Sequence, residues 1–410
     1  MYIEQTSKPK LVVLSTLFPH SGQPNAGVFI RERMFRVGKK LPITVVAPVP
    51  WFPFQGLVRL IRPHFRPDAP LYEQQKGVEI FYPRFLSVPG LFKSLDGFFM
   101  AIGCRHIMKK LKDQKRFNII DAHFGYPDGY AATLLGKWLS VPVCITMRGT
   151  EVPHASLVSR RVRLIRALRN ASRIFSVSES LRQHAISLGI DGDKITVVGN
   201  GVDTQRFYPV DKTEARKAFA LPLDAKVMIT VGGLVERKGF HRVIEIMPAL
   251  MKKIPDLHYL IIGGASAEGD WTEKLKGMVQ EAGLEQRVHF LGTMSSDKLK
   301  QPLSSADVFV LSTRNEGWAN VILEAMACGV PVIASDVGGN AEVVANETVG
   351  TIVPFGDSDR LQTALEQALT REWNTKEIIN YARDNSWDKR VAMLEQAFSK
   401  VLADSRKKGK

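Results

Sequence analysis

The run from Asp307 to Ser335 constrains the fold more than any other stretch of this chain. Asp307-Val-Phe-Val-Leu311 is a short apolar run and reads as a buried strand. A polar loop follows, holding Glu316 and Gly317. Val321 to Ala327 is small, apolar and free of breakers, which predicts a helix. Gly329 stops that helix, Pro331 reinforces the stop, and Val330 to Ala334 reads as the next strand. Strand, loop, helix and strand in so short a span make the crossover unit of a parallel sheet. In open parallel sheets ligands bind beyond the carboxyl ends of the strands, so the loop at 312–320 is the expected binding loop.

Two carboxylates, Glu316 and Glu324, frame that loop and helix. A glycosidase pair stands about 5 Å apart when retaining and about 6.5–9.5 Å when inverting, whereas eight residues of helix rise about 12 Å. The spacing therefore suits two contacts on one extended ligand better than a hydrolytic pair. The helix N-terminus beside Asn320 offers unpaired N–H groups and a positive dipole end, which suit phosphate. Hydroxyls at both ends with phosphate between them describe a nucleotide-sugar.

The run E-G-W-A-N-V-I-L-E-A-M-A-C-G-V-P-V-I-A-S, followed by Gly338-Gly-Asn-Ala-Glu342, resembles the E-x(7)-E region of retaining family-4 glycosyltransferases of the GT-B fold. The resemblance implies two doubly wound, Rossmann-like α/β domains facing a cleft. It also implies that Glu316 contacts the donor sugar and Glu324 the ribose of the nucleotide.

Length agrees with two domains, since 410 residues are long for one core. No apolar run is long enough to span a bilayer, and residues 1–10 show no apolar leader region. Cys104, Cys144 and Cys328 are odd in number and widely spaced; they form neither a metal motif nor a disulfide framework, which predicts a reducing cytoplasm. The net charge of +15 is unevenly placed: residues 1–200 hold 29 Lys and Arg against 13 Asp and Glu, an excess of +16. The first half therefore faces something anionic: a membrane, a lipid phosphate, a polyanionic glycan or nucleic acid.

Lys10 to Pro19 reads as the first strand, His20 to Gly27 as a glycine-containing loop and Val28 to Val37 as a helix. That order brings backbone N–H groups near phosphate, although the G-x-G-x-x-G fingerprint is missing. The pattern P-x(7)-G-V-F-I-R-E resembles the first loop of many family-4 enzymes, and Gly27 is its candidate donor contact. Between Trp51 and Arg66, prolines break a mixture of aromatic, aliphatic and arginine residues that includes Arg62. It suits either a bilayer interface or a loop packed on its own core. Leu95 to Leu111 and Ser156 to Arg173 read as helices, the second basic and amphipathic. Asn118 to Ala122 is a strand leading to His123, which as a strand-end residue is expected in a cleft rather than a core. The resemblance places such a histidine beside the transferred sugar. The next strand ends in Arg148-Gly-Thr-Glu151, where the family often has Asp. Asp191-Gly-Asp193 has turn composition and predicts no metal.

Val197 to Phe207 resembles the family's N-G-V-D-x-x-x-F connection between domains. The second domain opens with a strand at Val227 to Val231, a loop through Gly239 and a helix from Phe240. Arg237 and Lys238 stand at that helix entrance and suit a diphosphate. Many relatives carry an Arg where Gly233 stands, which leaves Arg237 to take over its work. The resemblance also returns a helix beginning near Ser386 to the first domain.

The expected domains are thus 1–205 for the acceptor, 206–385 for the nucleotide-sugar, and 386–410 as a returning helix with a basic tail. His123 and Glu316 are the candidate catalytic residues. Arg237, Lys238, Glu316, Asn320, Glu324 and Gly27 are the candidate donor contacts, with no metal or other cofactor. With no close carboxylate pair, stabilisation of the leaving diphosphate should dominate, by a front-face route without a protein nucleophile. The acceptor is expected to be a glycan or lipid-linked glycan in surface polysaccharide synthesis, reached from the cytoplasmic face of the membrane and with no role for nucleic acid. A sugar-nucleotide epimerase of the same fold and a polyanion-binding protein are the alternatives.

Overall fold

The computed structural model describes residues 8–24, 26–61, 65–266 and 268–408. The leader reading of the first seven residues and the interfacial role of Arg62 lie outside them. The chain divides into two compact units, Met1–Gly199 with Arg390–Lys410, and Asn200–Lys389. The first division thus comes six residues before the expected one and the second four after it.

The strands of the first unit are β1 (Leu11–Leu14), β2 (Ile43–Val46), β3 (Val49–Trp51), β4 (Tyr72–Gln75), β5 (Val78–Phe81), β6 (Arg84–Leu86), β7 (Ile119–His123), β8 (Val143–Met147), β9 (Arg173–Ser176) and β10 (Ile195–Val197). Eight of them make one sheet in the order β10-β9-β8-β7-β1-β2-β5-β4, while β3 pairs with β6 apart from it. Among the described strands of this sheet, β4 and β5 alone pair antiparallel. Every residue of β1, β7 and β8 is buried, as helices on both faces require. β1 is Val and Leu throughout, and β7 and β8 are mainly apolar without alternation, which makes them easy to see in the sequence.

The second unit holds β11 (Lys226–Val231), β12 (Leu257–Ile262), β13 (Val288–Gly292), β14 (Val308–Leu311), β15 (Val332–Ser335) and β16 (Gly350–Val353). Their order is β13-β12-β11-β14-β15-β16, and each neighbouring pair is parallel. The strand order reverses between β11 and β14 here, and between β1 and β7 in the first unit. At such a reversal the loops leaving the two strands turn to opposite faces and open a crevice between them. The loops in question are 15–27 and 124–129 in one unit, 232–239 and 312–319 in the other.

Two local expectations change. The stretch from Trp51 is neither loop nor core-packed throughout: a helix, Gln55–Ile61, leaves Phe54 and Leu60 80% exposed. The basic helix is shorter than expected, Val158–Asn170, and Arg173 belongs to β9, where its Nε donates to Thr196 Oγ1 at 3.0 Å.

The last helix, Trp387–Lys408, places Val391, Leu394, Phe398, Val401 and Leu402 in the core beside β1. Phe398 is fully buried with its ring edge-on to Phe175 at 5.3 Å. Phe398→Ala should cost about 3–5 kcal/mol. Hydrogen exchange should show the loss in β1 and β9 and leave β11 to β16 protected. Uniform loss across both units would contradict this division of the core.

Candidate functional site

In the second unit the site is built on the two loops that leave β11 and β14. Gly239 has φ 76°, and a Cβ there would stand 1.8 Å from the Ser312 carbonyl oxygen. Gly338 has φ 54°, and its Cβ would stand 1.6 Å from the Glu316 carbonyl oxygen. Two glycines in left-handed conformations therefore let backbone press on backbone at both ends of the 312–316 loop. Hydrogen bonds fix its middle. Arg314 N donates to Arg237 O at 2.8 Å, Thr313 Oγ1 to Arg237 O at 3.0 Å, and Ser335 Oγ to Thr313 O at 2.5 Å.

The loop so held points Glu316 at the turn after β11. Its Oε1 accepts from Lys238 Nζ at 2.5 Å and from Arg237 at 3.2 Å. The two cations differ in how they are used. Arg237 is bound bidentately by Glu268, Nε at 2.7 Å and the second terminal nitrogen at 2.6 Å, and its first terminal nitrogen donates to the Asn315 carbonyl at 2.8 Å. The Glu268 bonds, opposed by burial and helped by the Glu316 charge, raise its pKa above the ordinary arginine value. Arg237 therefore ties Glu268 to the loop 312–316. Gly233 itself lies against Ser266, whose Cβ would be 3.1 Å from a side chain begun there. Lys238 has Glu316 as its carboxylate partner.

Asn320 is the first residue of the helix Asn320–Ala327, and no side chain caps that helix. Asn320 Oδ1 accepts from Asn200 Nδ2 at 2.8 Å, which ties the helix entrance to the start of the unit. Glu324 lies one turn on, on the face that Asn320 begins, and is half-buried. Lys238, Glu316, Asn320 and Glu324 thus come from the two loops and the helix at the reversal point of one sheet, as the sequence placed them. Glu268 was missed; it stands in a loop with no motif around it.

The first unit holds the other candidates. His123 ends β7 but is fully buried, which corrects the expectation of a cleft residue. Its Nδ1 accepts from Arg148 Nε at 3.0 Å, and its Nε2 lies 3.4 Å from Asp121. Burial, then the Arg148 charge, lowers its pKa to about 4, so it is neutral near pH 7. Arg33, also buried, donates to the Val198 carbonyl at 3.2 Å. Its only sequence signal is an arginine on the helix face of Ile30, Met34 and Val37. Glu151, standing where the family often has Asp, accepts from the N–H groups of Gly125 at 2.8 Å, Arg148 at 3.1 Å and Gly149 at 2.8 Å. Gly27 has φ 68° and would bring a Cβ within 2.2 Å of the Leu17 carbonyl oxygen, so the turn alone requires glycine. Across the same reversal point Asp128, fully buried, accepts from Thr16 N and from Thr16 Oγ1 at 3.1 Å. Burial pushes its pKa up to about 7. Asp191 caps the turn 192–194 through the Asp193 N–H at 2.9 Å, as its composition suggested.

Residues 211–385 match the family of glycosyl transferases group 1, and residues 55–206 match Glycosyltransferase Family 4. A teichuronic acid biosynthesis glycosyltransferase of Bacillus subtilis, itself assigned that role provisionally, is 28% identical over 93% of this chain and 92% of its own length. Among solved structures, sucrose-phosphate synthase from Thermosynechococcus elongatus superposes with TM-score 0.74 at 20% identity, covering 97% of this chain and all of that one. HepE of Anabaena in complex with UDP superposes with TM-score 0.72 at 19% identity, covering 95% of this chain and all of HepE. With its two Rossmann-like sheets, the fold is GT-B.

The buried histidine makes a pH prediction. Its folded pKa of about 4 lies below the ordinary 6.5, so between those values the unfolded chain takes up a proton that the folded one refuses. The stability His123 contributes by staying neutral is complete above pH 6.5 and is lost as pH falls towards 4. Relative to His123→Asn, the wild type should lose about 3 kcal/mol across that window. Asp128 titrates in both proteins and cancels in the difference. Urea unfolding at each pH measures it; a gap that does not change with pH would contradict the buried neutral histidine.

Proposed function

We propose, from the premise that the chain is a glycosyltransferase of group 1, that it moves a hexose from a nucleoside-diphosphate sugar, with retention, to a glycan or lipid-linked glycan acceptor. The observation that carries this reading is the Lys238–Glu316 pair at the reversal point between β11 and β14. In the free protein the carboxylate neutralises the lysine. A diphosphate carries more negative charge than one carboxylate and competes for Lys238, aided by the uncapped helix at Asn320. Glu316, released, accepts hydrogen bonds from sugar hydroxyls, and Glu324 accepts from the ribose. As the bond to the sugar breaks, negative charge grows on the diphosphate, and Lys238 with the helix end opposes it. The positive charge at the leaving group comes from the protein on this reading, without a cofactor. His123, neutral and held by Arg148, positions the end of β7 and moves no proton. Gly27 enters only by setting its turn. The UDP bound to HepE supports a uridine donor as the first to try, and the Bacillus subtilis relative supports a surface polysaccharide as product.

Calorimetric titration with UDP and UDP-sugars tests the site. Lys238→Ala should weaken both roughly 10- to 100-fold, the loss of one charge-assisted bond. Glu324→Gln should weaken both as well. Glu316→Gln should leave UDP binding equal or tighter, because Lys238 is freed, while turnover falls. Equal loss of UDP in both glutamate variants would overturn these roles.

We propose further that the first unit docks on the inner face of the cell membrane. No helix among the described residues is long and apolar enough to cross a membrane. The surface bears Phe54, Leu57 and Leu60 beside one helix, and Val158 at 78% and Val162 at 61% exposure beside Arg160 and Arg161 on another. Apolar tips among arginines suit an anionic interface. The protein should sediment with vesicles in proportion to their anionic lipid, and less so as salt rises. Arg160→Gln, Arg161→Gln and Arg163→Gln together should reduce it. A protein that stays in the supernatant at every composition is not a membrane-docking one.

A further inference from the structure

We infer that the first unit carries a second anion site, at the amino-terminal end of its sheet, shaped for an acidic oligosaccharide. A cavity of about 950 Å³ opens there. Its floor is the start of β8 and β9, at Pro142, Val143, Ser172 and Arg173. Its walls are the helices Tyr130–Leu139, Val158–Asn170 and Trp387–Lys408. The strands run away from it, so His123 and the loops leaving β1 and β7 lie at the other end of the same sheet.

The lining is strongly one-signed. Lys137 comes from the first wall, Arg166 and Arg169 from the second, Lys400 and Lys407 from the third. None of these five makes an ion pair among the described residues. Arg173 and Lys194 line the cavity as well: Arg173 donates to Thr196 and to the Asp193 carbonyl, and Lys194 to the Arg169 carbonyl. The lone carboxylate is Asp404. Part of this charge answers the three helices, all of which end at the cavity. Each C-terminus carries about half a negative charge, so together they offset about 1.5 units. The five cations without an ion pair among the described residues, set against one carboxylate and the helix ends, leave an excess of positive charge. A concave wall concentrates their field and raises the local concentration of anions.

Shape and neutral lining select among anions. The volume far exceeds one phosphate ion and falls in the range of pockets that enclose organic ligands. Thr133, Ser140, Asn170 and Ser172 offer hydroxyls and an amide to sugar hydroxyls. A bilayer is flat and cannot reach the floor of a cavity walled on three sides. Single-stranded nucleic acid needs a row of aromatic platforms, and Tyr130 is the one aromatic ring in the lining. Carboxylates or phosphates on successive sugars match cations spread over three walls. Its use, keeping an acidic acceptor attached between transfers, rests on the transfer reading above; binding itself does not.

The test is fluorescence anisotropy of the full chain, without donor, against labelled oligogalacturonate. Labelled maltooligosaccharide, single-stranded RNA and anionic vesicles are the comparison probes. Oligogalacturonate should bind, more weakly as salt rises, and the neutral oligosaccharide should not. Lys137→Gln, Arg166→Gln and Lys400→Gln together should weaken it roughly tenfold or more. Arg160→Gln, Arg161→Gln and Arg163→Gln together, on the same helix but outside the cavity, should leave it unchanged. Unchanged hydrogen-exchange protection of β1, β7, β8 and β9 shows that the first unit of the cavity variant is folded, and Ser172→Trp, which fills the floor without altering charge, should block binding too. Equal weakening by both triple variants would mean diffuse charge and overturn the site. So would no binding of oligogalacturonate, or RNA or vesicle binding that the cavity variants abolish while oligogalacturonate binding survives.

Discussion

The reversal of strand order between β11 and β14 is the constraint on which the donor-side chemistry depends. It opens a crevice where the two loops meet, and the loops meet only because Gly239 and Gly338 have no side chains. With a Cβ at either position, backbone atoms would sit closer than 2 Å, at 1.8 and 1.6 Å. The close approach brings Glu316 against Lys238, two residues 78 positions apart. The pair joins a largely buried ammonium to a largely buried carboxylate, so each offsets the other's loss of water. Arg237 adds a second fastening: bound to Glu268 on one edge and to the loop carbonyl on the other, it holds the loop in place.

The same reversal in the first unit is used differently. Between β1 and β7 the loops join through Asp128, which is buried and bound by Thr16, and behind them stand Arg33, Asp121, His123 and Arg148. Two arginines and one aspartate in a protein interior are costly unless each is bonded, so the cluster has to be built as a whole. Burial suppresses the histidine's proton affinity and lifts that of Asp128. The imidazole that ends β7 is therefore neutral at pH 7.

Much of this was legible in the sequence because parallel sheets write themselves plainly. Val-Val-Leu and Val-Phe-Val-Leu are unbroken apolar runs, and Ile-Ile-Asp-Ala is broken only by Asp121, since both faces of those strands are covered. Lys238, Glu316, Asn320 and Glu324 could be placed because each stands in a loop or helix entrance that follows such a run. Less visible were β4 and β5. Tyr72-Glu-Gln-Gln75 is a polar edge strand, and nothing in its composition separates it from a loop. His123 was misplaced for a related reason. The end of a strand is usually open, but here Arg148, arriving from a loop 25 residues later, closes over it. Pairings between distant loops leave no periodic trace, and for that reason Glu268 was missed.

The charge asymmetry becomes sharper once the chain is divided as it folds. Arg390–Lys410 joins the first unit, which then holds 35 Lys and Arg against 15 Asp and Glu, an excess of +20, while the second unit is at −5. A domain tolerates such an excess only at the cost of self-repulsion, which screening reduces over about 8–10 Å. The last helix shows where part of it goes. Its apolar face, with Phe398 and Leu402, packs in the core, while Lys400 and Lys407 line the cavity at the amino ends of the strands. One helix thus completes the first unit's core and the wall of a basic cavity together. Removing it would lose both, whereas changing Lys400 alone alters the cavity and leaves the core packing in place. Stability and anion affinity are therefore separable in this helix, residue by residue, by which face each side chain occupies.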